Sequence, residues 1–187
     1  MLKRSGFILT FFVAVYLVLP VNTAAQSNGY EGTQVCGTCH KTEKQGQQLK
    51  IWQESKHANA YKALMTEEAD KIAKEKGLAT KAVESPECLK CHAAGHDVAD
   101  KKLIGPKFKI EEGVQCETCH GAGSAYKTLK VMKSREESVK NGLIIWKDNT
   151  EIEKGCKSCH NEQSPTYKEF KFDEMWAKIA HKVPAAK

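Results

Sequence analysis

The sequence predicts a single, mainly α-helical domain with little or no β-sheet. Apolar residues recur at helical spacing over 45–64, where Leu49, Trp52 and Ala60 lie on related turns. By contrast, 101–114 contains two glycines and a proline and is predicted to form a loop or a minor hairpin. Start and stop signals delimit three further predicted helices, which span 66–76, 124–141 and 172–181.

The first 25 residues have the three-part order of a secretory signal peptide. Two basic residues precede an apolar run over 7–19, and small residues follow Pro20. The competing interpretation is an uncleaved membrane anchor, but a spanning helix needs about 20 apolar residues and this run is shorter. We therefore expect cleavage after Ala25 or one residue earlier, a mature domain over 26–187 and no stable membrane anchor. The expected location is the periplasm, with full secretion as the alternative.

All eight cysteines fall into four pairs of identical spacing, and histidine directly follows each pair. This C-x-x-C-H pattern is the signature of covalent haem attachment in c-type cytochromes. The two thiols add to the vinyl groups on one side of the porphyrin, and the histidine lies beneath the ring as a ligand of the iron. In chain order, the first to fourth motifs are Cys36-Gly37-Thr38-Cys39-His40, Cys88-Leu89-Lys90-Cys91-His92, Cys116-Glu117-Thr118-Cys119-His120 and Cys156-Lys157-Ser158-Cys159-His160.

Three other uses of paired cysteines fit this pattern less well. Zinc sites also use C-x-x-C, but they do not require a histidine directly after every pair. Disulfides are common in exported proteins, yet they impose no such regularity. A thioredoxin-like redox pair needs one motif on a βαβ scaffold, which the sequence does not predict.

The motifs are distributed through the mature chain, which leaves about 40 residues for each of them. We therefore expect a compact multihaem cytochrome in which helices and loops wrap around four covalently bound haem c groups. The porphyrins would supply most of the buried apolar surface. The formal charge of +6 would fall by two with the signal peptide, and the haem propionates would offset much of the rest. A nucleic-acid partner is therefore not expected.

Counting histidines limits the ligands of the four irons. The four proximal ligands are expected to be the motif histidines His40, His92, His120 and His160. Only three other histidines exist, which are His57, His96 and His181. At least one iron therefore lacks a second histidine, and its sixth position is taken by methionine, lysine or a partner's group, or stays open.

The three spare histidines differ in how readily they could reach an iron. His57 and His181 lie on predicted helices beside small or apolar residues and are expected to be ligands. His96 lies four residues after His92, which is too close for the opposite face of the same haem. Three roles stay open for His96: ligand of a neighbouring haem, hydrogen-bond partner of a haem propionate, or no role. Met132, shortly after the third motif, is a candidate for the remaining site; methionine ligation raises a haem's potential, whereas packing is its usual role.

Segments beside the motifs carry a more specific resemblance. They are 52–58 after the first motif, 113–123 around the third, and 170–175 ahead of His181. With these flanks the chain resembles the tetrahaem cytochrome c-554 family of nitrifying bacteria. The resemblance implies a mainly helical fold with closely packed haems in stacked and tilted pairs. It also implies that His57 ligates the haem of the third motif and His181 that of the fourth.

The chain departs from that family at two ligand positions. In the family, the first haem takes its far ligand from a histidine shortly after the third motif. This sequence has no histidine between His120 and His160, so Met132 is the nearest substitute. The family's second haem is five-coordinate, and here His96 stands near the matching motif in place of an aromatic residue.

The sequence therefore predicts an electron carrier between redox proteins outside the cytoplasm, with no catalytic residues. The resemblance implies hydroxylamine oxidoreductase as electron donor, and a quinol-linked membrane protein is the other candidate partner. The alternative is a haem enzyme that reduces nitric oxide or a nitrogen or sulfur oxyanion at a five-coordinate iron. A haem subunit of a larger reductase is the third hypothesis. The oligomeric state is not predicted.

Overall fold

The computed structural model describes residues 28–184, and this part of the chain is mainly α-helical, as predicted. The predicted signal peptide lies outside these residues. None of the helices within them has the length and apolar character needed to cross a membrane. The α-helices are α1 (Thr33–Gly37), α2 (Gln48–Glu54), α3 (Ala60–Ala63), α4 (Glu67–Glu75), α5 (Pro86–His92), α6 (Cys116–His120), α7 (Leu129–Met132), α8 (Arg135–Lys140), α9 (Asn149–Lys157) and α10 (Phe172–Ile179).

Short 3₁₀ turns and loops connect the helices, and extended pairing is minimal. Between residues 28 and 184, β-pairing amounts to one isolated parallel bridge between Tyr30 and Ile104. The segment 101–114 is a loop with two 3₁₀ turns, so the hairpin alternative for it is wrong. The 3₁₀ turns are Glu43–Gln45, His57–Asn59, Ala82–Glu84, Lys101–Leu103 and Ile110–Glu112.

The predicted continuous helix over 45–64 is wrong, because the chain breaks after α2. Ser55 is extended, with φ −84° and ψ 160°, and its hydroxyl donates to the Trp52 carbonyl at 2.7 Å. Serine side chains compete with the helical ladder in this way. The Trp52 indole N–H meanwhile donates to the Val114 carbonyl at 2.8 Å, which ties α2 to the segment before the third motif. The break gives His57 a direction that a straight helix would not.

The other helix predictions have mixed outcomes. The 66–76 prediction is confirmed by α4, whose Thr66 hydroxyl accepts from the Ala69 N–H, and the 172–181 prediction corresponds to α10. The 124–141 prediction is wrong as one helix. It divides into α7 and α8, because Ser134 is extended and its hydroxyl accepts from the Glu137 N–H, which begins a new helix.

The apolar core made by the polypeptide is small. Leu64, Ala73 and Ala82 form one cluster, against which parts of α4 and α5 pack. The fully buried side chains of largest volume are polar, and they are Gln115, Glu117, Thr33, Ser85 and Ser138. Alanines make up most of the buried apolar residues, so helix–helix packing alone offers this chain little hydrophobic stabilisation.

Candidate functional site

Each C-x-x-C-H motif begins on a short helix. Helices α5 and α6 contain all five residues of the second and third motifs, whereas α1 and α9 end between the two cysteines of the first and fourth. All eight thiols are free, so the disulfide interpretation is not supported. Residues 28–184 also contain no group of three or more His, Cys, Asp or Glu side chains of the kind that holds a zinc ion.

The four motifs lie next to one another in a definite order. Helix α1 packs on α6, and the neighbouring Cys116 thiol raises the pKa of Cys36 while Cys36 lowers that of Cys116, which places the first motif beside the third. Burial raises the pKa of Cys119 to about 11, and the nearby Cys156 thiol adds to the effect, which joins the third motif to the fourth.

Burial raises the pKa of Cys91 to about 11, and the nearby Cys159 thiol adds to the effect, which places the second motif beside the fourth. The order in space is therefore first, third, fourth, second, although the order along the chain is different. Thiols of successive motifs lie near one another, so groups attached to them would be close neighbours.

Two pairs of histidine rings have the separation expected across a shared metal ion. The ring centroids of His57 and His160 are 6.1 Å apart, and those of His120 and His181 are 6.0 Å apart. Metal–imidazole bonds are about 2 Å long, so two imidazoles on opposite sides of one ion place their centroids about 6 Å apart. These residues fit a haem iron with two histidine ligands.

Electrostatics favours the neutral, ligating form of these rings. Burial lowers the pKa of His57, and the neighbouring His160 lowers it further. Burial and then His181 lower the pKa of His120, and burial lowers that of His160. Phe170 stacks on the His160 ring at 4.7 Å between centroids, which fixes the plane of that imidazole.

The observed pairing reverses the one implied by the family resemblance. His57 faces the fourth-motif histidine rather than the third, and His181 faces His120 of the third motif rather than the fourth. The His57 backbone itself lies beside the Gly113 loop, just ahead of the third motif. The φ of Gly113 is +74°, and a Cβ there would lie 2.7 Å from the His57 carbonyl oxygen, so this backbone packs directly against the turn that carries His57.

Backbone carbonyls fix the orientation of the His92 and His181 imidazoles. The His92 Nδ1 lies 2.8 Å from the Ala60 carbonyl oxygen, and the His181 Nδ1 lies 2.7 Å from the Ile179 carbonyl oxygen. Because a carbonyl only accepts, Nδ1 carries the proton in both rings. The Nε2 lone pair of each is left for a metal ion, as in other metal-binding histidines.

The remaining predicted site residues are divided between two places. A cavity of about 510 Å³ is lined by Cys36, Cys39 and His40 of the first motif and also by Met132. His96 lies on a turn just after α5 and is half-buried. Within residues 28–184, neither His40 nor His92 has a histidine ring facing it in the manner of the two pairs above.

Glu117, inside the third motif, is a site residue that sequence analysis missed. Its side chain is 2% exposed, and its carboxylate accepts from the N–H groups of Glu31, Gly32 and Gly123 at 2.7–3.0 Å. Burial raises its pKa, while these backbone hydrogen bonds act in the opposite direction. The carboxylate thus holds the start of α1 and the loop after α6 around the first and third motifs. The only sequence signal was the position of this glutamate between the two cysteines of the motif. An acidic residue is usually solvent-exposed, so its burial was not expected.

We expect Glu117→Gln to lower the free energy of unfolding by about 1–3 kcal/mol, the cost of an unsatisfied buried hydrogen-bonding group. The new amide NH₂ would face backbone donors in place of one carboxylate oxygen. Guanidinium unfolding of the holoprotein followed by circular dichroism measures the change. Glu153→Gln is the matched control, because Glu153 only pairs with Lys157 on the surface. Equal stability of the two variants would contradict this role for the Glu117 carboxylate.

The motifs, the paired imidazoles and the cavity define a c-type cytochrome with several haem-attachment sites. The family model described as "Cytochrome c554 and c-prime" matches residues 35–121, which contain the first three motifs. Cytochrome c-554 of Nitrosomonas europaea is 25% identical over 189 aligned positions, covering 87% of this chain and 78% of that protein. No solved structure matches. Both comparisons support the resemblance to the cytochrome c-554 family that the motif flanks indicated.

Proposed function

We propose that this protein is a tetrahaem electron carrier that passes electrons between redox proteins in the periplasm. One observation carries the proposal: the thiols of successive motifs lie near enough to shift one another's pKa, in the order first, third, fourth, second. Each bound haem would supply one-electron chemistry at its iron. The chain would hold these groups close enough for an electron to move from one end of the order to the other.

The chain's own residues have separate roles in this proposal. The eight cysteines form the thioethers, and the four motif histidines bind the irons from one side. His57 and His181 complete the coordination at the fourth and third motifs, because they face His160 and His120. The Ala60 carbonyl holds His92 in the correct tautomer at the second motif. No substrate-binding residue is needed for this activity.

Charge supports transient docking rather than a permanent complex. Lysines are spread along the chain rather than gathered in one segment, and the helices of the second and fourth motifs expose Lys90, Lys154 and Lys157. Such charges guide encounters with acidic partners. The proposed partners are a hydroxylamine-oxidoreductase-like donor or a quinol-linked membrane protein. Export by the N-terminal segment 1–25 would bring the chain to them.

A second candidate function rests on the second motif. His92 has no facing histidine of the kind found at the third and fourth motifs. An iron open on that side could bind and reduce a small molecule such as nitric oxide or a nitrogen or sulfur oxyanion. His96, four residues on and half-buried, is a candidate to contact such a ligand.

Mass spectrometry and carbon monoxide titration of the matured protein test both candidates. The carrier proposal expects the mass of four haems and reversible reduction of all of them by a reduced redox protein. Carbon monoxide that shifts the Soret band of about one quarter of the haem would identify one open iron. Loss of that shift in a Cys88→Ala/Cys91→Ala variant would assign it to the second motif. Steady turnover of nitric oxide there would favour the enzyme, and fewer than four haems would contradict the tetrahaem proposal.

A further inference from the structure

The cavity beside the first motif is lined by a methionine, Met132, whose thioether could bind a metal ion. Its lining brings together the two attachment cysteines, His40 and the thioether of Met132, although Met132 is more than 90 residues away along the chain. The volume of about 510 Å³ lies within the usual range for cofactor pockets. The residues present therefore fit a haem attached at Cys36 and Cys39, with His40 and Met132 in the same cavity.

The other polar groups of this cavity are poorer ligands. Glu31 forms an ion pair with Lys127 at 2.5 Å, and the Tyr126 hydroxyl donates to the Gly121 carbonyl at 2.5 Å. Lys133 is exposed, and a lysine ammonium has three donors and no acceptor. A thioether needs no deprotonation and is a soft ligand suited to iron in haem.

The three histidines outside the motifs do not compete for this position. His57 faces His160, and His181 faces His120. His96 lies on the turn after α5 and is not among the residues that line the cavity. Met132 is therefore the best available sixth ligand for an iron held by His40.

A buried serine holds the Met132 sulfur in place. Ser138, on α8, has 0% exposure. Its hydroxyl lies 3.1 Å from the Val131 carbonyl oxygen and 3.9 Å from the Met132 sulfur, so its one proton is shared between a stronger oxygen acceptor and a weaker sulfur acceptor. The contact fastens α8 to the end of α7. It also occupies one lone pair of the thioether, and the second lone pair is left for a metal ion.

We infer that Met132 is the axial ligand opposite His40 at the first motif, with Ser138 as the residue that positions its sulfur. The inference rests on the proposed function and adds a direction of electron transfer to it. Methionine ligation raises the reduction potential of a haem relative to a second histidine. The first motif is at one end of the spatial order of motifs. An electron given up by a reduced partner protein at the other end would therefore reduce the ferric iron at this end.

Ligand substitution in the holoprotein tests the assignment. The ferric wild type is expected to show the long-wavelength sulfur-to-iron charge-transfer band. Met132→Leu, which keeps the side-chain volume, should lose this band and gain a high-spin signal from about one quarter of the haem. Met132→His should remain low-spin without the band and lower the highest of the measured potentials. Met65→Leu is the control, because Met65 is 66% exposed, and it should resemble the wild type.

A separate pair of serine variants tests the positioning role. In Ser138→Ala, added imidazole should displace the sulfur at about fivefold lower concentration, as expected for the loss of one hydrogen bond. Ser134→Ala weakens the same helix at its N-cap without touching Met132 and should leave the imidazole titration unchanged. Equal titrations of Ser138→Ala and the wild type would overturn the role of Ser138.

The outcomes separate this inference from the proposed function. A wild type that carries four reversibly reducible haems but shows no sulfur charge-transfer band would overturn the Met132 assignment alone. Persistence of the band in Met132→Leu would do the same. A wild type with fewer than four haems would overturn the tetrahaem proposal, whatever the spectrum of the first-motif site.

Discussion

Chain produced without haem attachment will be unfolded. The largest apolar side chains buried within residues 28–184 are Leu64 and Tyr126, and the other buried apolar residues are alanines. Folding costs about 1–2 kcal/mol per residue in backbone entropy, and burial of apolar surface must offset it. Serine at all eight cysteine positions is expected to abolish cooperative unfolding and most of the helical circular dichroism of the holoprotein.

Removing single motifs should reduce the helical signal and the protease resistance by different amounts. The Leu64, Ala73 and Ala82 cluster packs against Cys88 and Leu89 of α5, so the region around the second motif has the most polypeptide core of its own. Cys88→Ala/Cys91→Ala should therefore retain more helical signal and resist proteolysis better than Cys36→Ala/Cys39→Ala. A fully haem-free chain with native helix content and a sharp thermal transition would show that the polypeptide core is sufficient.

The fold class could be predicted because its signals are local. The Thr66 cap and Gly77, which has a φ of +72°, delimit α4 within one turn of the predicted ends. The break at Ser55 could not be predicted in the same way. The apolar periodicity continues through it, and the local bond from the Ser55 hydroxyl to the Trp52 carbonyl acts together with a distant contact, the hydrogen bond from Trp52 to Val114. The division at Ser134 carried a local capping signal that the helical pattern around it obscured.

The site shows the same division between local and distant information. Five consecutive residues define each attachment motif, so the motif histidines follow from the sequence alone. Which spare histidine faces which motif depends on how the chain returns on itself, and the observed ring pairs differ from those that the family resemblance implies. Glu117 was missed because its importance comes from N–H groups more than 80 residues earlier, at Glu31 and Gly32.

Removing His57 will open the iron of the fourth motif and no other. The His57 and His160 rings are 6.1 Å apart, and neither His120 nor His181 is part of that pair. We expect His57→Ala to convert about one quarter of the haem to a high-spin form that binds carbon monoxide. Electron paramagnetic resonance of the ferric protein measures this fraction. His181→Ala should produce the same change at the third motif.

A double-variant comparison assigns each histidine to its motif, because residues that act on one group are not additive. In a Cys156→Ala/Cys159→Ala background, which lacks the fourth attachment site, His57→Ala should add no high-spin signal. His181→Ala in that background should still add one. Removing Cys116 and Cys119 instead should reverse the two results. If His57→Ala is silent only when the third motif is missing, the pairing implied by the family resemblance is correct.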